Sequence, residues 1–90
     1  MKYLIEFDGT DNFAYDGLFV GWKKDGARKV VKVAEKASQA MQFTDLEKCK
    51  RVAKLLSRVG KIGFAIVRET NGTHVGKTVT SYYKGNEERD

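Results

Sequence analysis

The clearest hydrophobic period in the chain runs from Phe43 to Gly60. Stepped at about 100° per residue, Leu46, Cys49, Val52, Ala53, Leu55, Leu56 and Val59 cover half of a helical wheel. Glu47, Lys50, Arg51, Lys54, Ser57 and Arg58 fill the other half. Thr44 reads as the N-cap, Glu47 completes a capping box, and Gly60 follows as a C-terminal stop. The pattern predicts one helix over 45–59.

Elsewhere the period is two, or absent. Tyr3, Ile5 and Phe7 alternate with their neighbours and predict a first strand over 2–7. The turn-forming run 8–17 predicts a long loop. Asp25-Gly26 then separates two strand-like runs, a strong signal for a two-residue hairpin. In that register Trp22 faces Lys29, Val20 faces Val31 and Leu18 faces Val33 on an apolar side. Lys23 faces Arg28, Gly21 faces Val30 and Phe19 faces Lys32 on the other. Residues 34–43 leave three readings open: a continued strand, a helical turn or an ordered crossover.

After the helix, Ile62, Phe64 and Ile66 alternate with Gly63, Ala65 and Val67. Asn71-Gly72 marks a second hairpin. A two-residue loop there pairs Phe64 with Val79, Ile66 with Lys77 and Arg68 with Val75. Gly63, Ala65, Gly76 and Thr78 then form a small, flat outward face, either a receiving surface or one covered by 34–43 or 8–17. Residues 85–90 read as a polar, frayed tail after a single domain over 1–84. The expected architecture is α+β, a four- to five-stranded, mainly antiparallel sheet with one helix on one face, in the order β-β-β-α-β-β.

Ninety residues allow one domain and one core. A hydrophobic content of 41% argues against disorder. The formal net charge of +5 biases any partner towards anions: nucleic acid, an acidic protein or an anionic surface. One cysteine excludes an internal disulfide and suits a reducing, cytoplasmic compartment. No apolar run approaches a signal peptide or a membrane span.

The candidate chemistry lies on the basic surfaces. Lys23 opposite Arg28 is a like-charge cross-strand pair, which costs stability. With Lys32 and an exposed Phe19 on the same face, it is suited to grip phosphate and stack a base. The alternative is a solubilising hairpin. A second stripe, Lys50, Arg51, Lys54 and Arg58, lies on the outer helix face. A solvated surface is the ordinary reading there, and the later cations also favour the helix dipole. Asp8, Asp11 and Asp16 do not match a calcium loop and read as turn residues. Cys49 falls in the apolar arc as a buried thiol, and His74 reads as a surface partner of Glu69. No metal set, cofactor motif or activated nucleophile can be assembled.

The run Ala37…Met41-Gln42-Phe43-Thr44-Asp45-Leu46-Glu47-Lys48-Cys49-Lys50, with Gly60 and the strand Ile62–Val67, resembles a pattern in many small bacteriophage and prophage proteins. Cys49 stands where those often carry alanine. The resemblance implies a host-cell setting and a role as an accessory binder or inhibitor. Residues 18–59 are also similar in outline to the arm-site DNA-binding domains of phage-type integrases. The resulting expectation is a non-enzymatic macromolecule-binding module, nucleic acid first, with a phage-type regulator of a host protein, including a homodimeric one, as the alternative.

Overall fold

A computed structural model describes residues 1–8, 16–59 and 62–88. Its strands are β1 (Lys2–Asp8), β2 (Gly17–Asp25), β3 (Arg28–Ala34), β4 (Phe64–Thr70), β5 (Val75–Tyr83) and β6 (Asn86–Glu88). They form one antiparallel sheet in the order β3-β2-β1-β4-β5-β6. One helix, α1 (Leu46–Leu56), packs on one face, and a single 3₁₀ turn covers Ala37–Gln39. The α+β class with one covering helix is as expected. The sheet has six strands rather than four or five, so the element order gains a strand at its end. That strand, Asn86–Glu88, occupies most of the segment expected to fray.

The helix starts one residue later than its capping signal suggests. Asp45, not Thr44, is the N-cap, and its Oδ1 accepts from the N–H groups of Glu47 (3.0 Å) and Lys48 (3.3 Å). A carboxylate there serves two orphan donors and complements the positive end of the helix dipole, which a threonine hydroxyl does less well. The helix ends at Leu56, and a tighter turn through Ser57, Arg58 and Val59 follows. The expected stop at Gly60 lies outside the described residues. Cys49, Ala53 and Leu56 are fully buried, whereas Leu55, at the edge of the expected apolar arc, is 62% exposed.

Beneath the helix lie Ile5 and Phe7 of β1, Phe19 of β2, Val31 of β3, Ala65 and Val67 of β4, and Tyr82 of β5. The second hairpin is therefore turned over relative to expectation. Ala65 and Val67 face the helix and are fully buried, while Phe64 and Ile66 face the other way and are half-buried. Small residues belong under the helix because they let its backbone, at Ala53, approach the sheet closely. The loop is also longer than two residues, spanning 71–74, with the Asn71 side chain accepting from the N–H groups of Thr73 and His74. Two register shifts in β4–β5 follow, so Phe64 pairs with Tyr83, Ile66 with Ser81 and Arg68 with Thr78.

The segment 35–43 resolves into a 3₁₀ turn followed by a crossover. Ala37 packs with Leu4 and Leu18, which lie on the sheet face away from the helix. Phe43, six residues on, belongs to the core on the helix side. The chain passes between β1 and β2. Among the described residues those strands pair only at Glu6↔Leu18 and Phe7↔Gly17. Beyond that point Met41 donates its N–H to the Phe19 carbonyl (2.9 Å), and Phe43 exchanges two backbone bonds with Tyr3 (2.7 and 2.8 Å). Gln42 anchors the crossing by donating to the Ala37 and Gly72 carbonyls, both at 3.0 Å.

At the far edge, β5 and β6 join through Lys84 (φ 52°) and Gly85 (φ 83°). Two consecutive positive φ values are the mark of a type I′ turn. The Gly85 N–H donates to the buried Ser57 Oγ (2.9 Å), which itself donates to the Lys54 carbonyl (2.7 Å). Helix end and edge hairpin are thus tied through one hydroxyl. Ser57→Ala should leave a buried amide without a partner and cost about 1–3 kcal/mol. Chemical denaturation together with amide exchange at Gly85 checks this; unchanged stability with unchanged Gly85 protection would remove the hydroxyl from its assigned role.

Burial raises the Cys49 thiol from 9.0 to about 12. The unfolded chain therefore loses this proton at a lower pH than the folded one. The thiol's contribution to stability is present below pH 9 and is lost as pH rises from 9 towards 12, because the folded state holds the proton longer. In that window the wild type should lose stability relative to Cys49→Ala by up to about 1.4 kcal/mol per pH unit. Parallel curves for the two proteins across it would contradict the assignment.

Candidate nucleic-acid interface

The hairpin β2–β3 carries the basic residues singled out in the sequence. Its turn is Gly26-Ala27 rather than Asp25-Gly26, with positive φ at Gly26 (65°) and not at Ala27. That is the pattern of a type II′ turn. The partners therefore move. Lys23 pairs with Val30 and Arg28 with Asp25, so the expected Lys23–Arg28 repulsion is absent. The like-charge pair is instead Lys24↔Lys29, on the other face of the hairpin.

Faces survive this change because the cross-strand partners shift by two residues and the side-chain period is also two. Lys23, Lys32 and Arg28 do share the face turned away from the helix, as expected. Phe19 does not join them. Its partner is Val33, whereas Gly21 pairs with Lys32. Val20 is left as the extra residue of a β-bulge. The bulge reverses the alternation. Phe19 turns into the core at 1% exposure and packs edge-on against Phe7 (6.1 Å) and Trp22 (5.9 Å).

With the crossing segment between it and β1, the hairpin stands as a two-stranded ribbon beyond the body of the sheet. Every residue from Trp22 to Lys29 is exposed. Lysines and Arg28 outnumber Asp25, the acid of this stretch. Around Trp22, the ribbon, crossing segment and helix start enclose an open groove of about 520 Å³, lined by Phe19, Trp22, Met41, Phe43, Lys48 and Val52, among others. The groove was not legible from spacing, because it depends on where residues 41–43 cross the sheet.

The helix stripe is dispersed. Arg51, Lys54 and Arg58 are exposed, but Lys50 is half-buried beside Thr80, Glu87 and Glu88 in a cavity of about 360 Å³. Arg58 lies against the edge turn; a Cβ on Gly85 would come within 2.6 Å of its Nε. The acidic β6, taken for a tail in the sequence, thus meets the basic helix. On the opposite sheet face Phe64 and Tyr83 stack (4.8 Å), Lys84 Nζ sits 5.3 Å over the Tyr83 ring, and Arg68 bonds Glu6 at 2.8 Å. Sequence reasoning missed this aromatic pair because it placed Val79, not Tyr83, opposite Phe64.

The other candidates separate. His74 is held in the β4–β5 loop, where its ring Nδ1 lies 3.0 Å from Thr73 Oγ1. It forms no cross-strand pair with Glu69, but the two line one shallow groove of about 460 Å³ with Met1, Lys2 and Val75. Cys49 is buried under the helix. Trp22 pairs with Val31, not Lys29. Asp8 ends β1, Asp16 precedes β2, and Asp11 lies outside the described residues. Among the described residues no cluster of three or more His, Cys, Asp or Glu is placed to hold a metal ion, and no helix is long and apolar enough to cross a membrane. Comparison with protein-family models, curated proteins and solved structures finds no match.

Proposed function

We propose that the chain is a non-enzymatic accessory module that binds nucleic acid through the phosphate backbone, using the β2–β3 ribbon as its contact element. The observation that carries this reading is the exposed ribbon itself, with Lys23, Arg28 and Lys32 on one face and Lys24 and Lys29 on the other. Phosphate recognition needs accessible cations in number rather than a preformed cavity. A two-stranded ribbon is also narrow enough to follow a nucleic-acid groove.

The helix stripe is the weaker candidate, because Lys50 and Arg58 are drawn towards β6 and its turn. Homodimerisation by joining sheet edges is disfavoured on both sides. One edge, β3, carries Arg28, Lys29 and Lys32, and the other, β6, spans three of the described residues, two of them acidic. Both devices blunt edge pairing. The second reading is a phage-type regulator that meets an acidic host protein, and the same ribbon cations support it.

Titration of duplex and single-stranded DNA and RNA over a salt series separates the two. Binding should weaken linearly in log–log form. Replacing Lys23, Arg28 and Lys32 together by Gln should make the slope shallower by about 2 to 3, at roughly 0.7–0.9 per phosphate contact. Lys54→Gln, on the helix, should leave it unchanged. Absence of binding to all four nucleic acids at low salt would sink this reading and leave the acidic protein.

A further inference from the structure

The groove beside the ribbon offers a ring, flanking charge and room for a flat ligand. Trp22 is 48% exposed, and its indole is held edge-on against Phe19 at an interplanar angle of 73°. Phe19 is itself wedged against Phe7 in the core. The indole is thus braced by a core ring while about half of the residue stays exposed. Met41, 40% exposed, continues the apolar surface, and Phe43 and Val52 form the rest of the floor. The volume is about 520 Å³. Small-ligand sites run from roughly 300 to about 1,000 Å³.

The charges around this ring are predominantly positive. Lys24 and Lys29 share its ribbon face, two residues from Trp22 and Val31. Two residues are about 7 Å along a strand. The two lysines stand directly opposite each other, an arrangement that is destabilising without an anion between them. Lys48 lines the far wall. The acid in the groove, Asp45, is occupied in capping the helix. An aromatic face with cations one strand step away suits a ligand that alternates flat rings with phosphates.

We propose that Trp22 is a stacking platform for an unpaired base of a single-stranded nucleic acid, with Lys24, Lys29 and Lys48 contacting the adjoining phosphates. This rests on the nucleic-acid reading above and deepens it. It assigns a preference for single strands over duplexes. It also places base contact on the helix-side face of the ribbon, while Lys23, Arg28 and Lys32 follow the backbone on the other.

Trp22 is the chain's one tryptophan, so its emission reports this groove alone. The full chain is titrated with a dT oligonucleotide, an rU oligonucleotide and a DNA duplex of the same length. The single strands should quench the emission to saturation, and the duplex, whose bases are already stacked, should leave it unchanged. Measured by anisotropy of a labelled oligonucleotide, Trp22→Ala should weaken single-strand binding about tenfold. Trp22→Phe, which keeps a ring, should recover most of that loss. Single strands that bind with salt-dependent affinity but neither quench Trp22 nor respond to Trp22→Ala would overturn the stacking site and leave the phosphate-binding ribbon standing. Equal quenching by the duplex would overturn the single-strand preference. Binding by none of the three would remove both readings. Because quenching is read on the unaltered protein, a Trp22→Ala variant that failed to fold would not rescue the proposal.

Discussion

Where Met41 to Phe43 pass between β1 and β2, their backbone groups take hydrogen bonds that the two strands would otherwise exchange. This insertion governs the rest of the molecule. It carries the chain from the Leu4–Leu18 side of the sheet to the side where α1 packs. It also ends the pairing of β1 with β2 after two residues. Without it, β2 and β3 would be ordinary outer strands paired along their length with β1. With it, they leave the sheet as a ribbon anchored at its base by the short β1 pairing at Gly17 and Leu18, by the Phe19 carbonyl bond and by the buried Phe19 and Val31.

The bulge at Val20 completes that anchoring. In a regular strand Phe19 and Trp22, three residues apart, would lie on opposite faces. The extra residue places them on the same one, so a core phenylalanine can support an exposed tryptophan. The same bulge deprives the opposite face of the aromatic that the alternation had assigned to it. Aromatic and basic groups are therefore combined on the helix side of the ribbon, where Trp22 meets Lys24 and Lys29. The other side has cations without a ring.

The features most visible in the sequence are those that depend on local periodicity. The apolar arc of α1 follows from a period near 3.6 residues, and the common face of Lys23, Arg28 and Lys32 from a period of two. That face outlasted a misplaced turn because glycine accepts positive φ at either central position of a tight turn, and moving the turn by one residue shifts partners by two. Features set by a single extra residue or by long-range approach were not visible. The Val20 bulge has no signature in the spacing. The inward face of β4 was read from size, which favoured Phe64 over Ala65, although the helix requires the smaller residue. β6 looked like a tail because Asn86-Glu87-Glu88 has no apolar period. It is held by pairing with β5, by the Ser57–Gly85 bond and by Thr80 Oγ1 donating to Glu87 (2.7 Å).

A two-stranded ribbon is marginal on its own in water, and this one also carries Lys24 opposite Lys29. What offsets that cost must lie at its base, because every residue from Trp22 to Lys29 is exposed. Phe19 and Val31 are buried there, and the crossing segment grips the Phe19 carbonyl. The root is therefore firmly held, while the tip has little but its own backbone ladder and the Asp25–Arg28 pairing. That division suits a contact arm better than a scaffold strand. A fixed root sets where the arm reaches, and a lightly anchored, cationic tip conforms to the spacing of the charges it meets. A ligand's phosphates would remove the Lys24–Lys29 repulsion, so the tip would be more ordered when bound than when free. The feature that weakens the isolated ribbon is the same one that would make anion binding stabilise it.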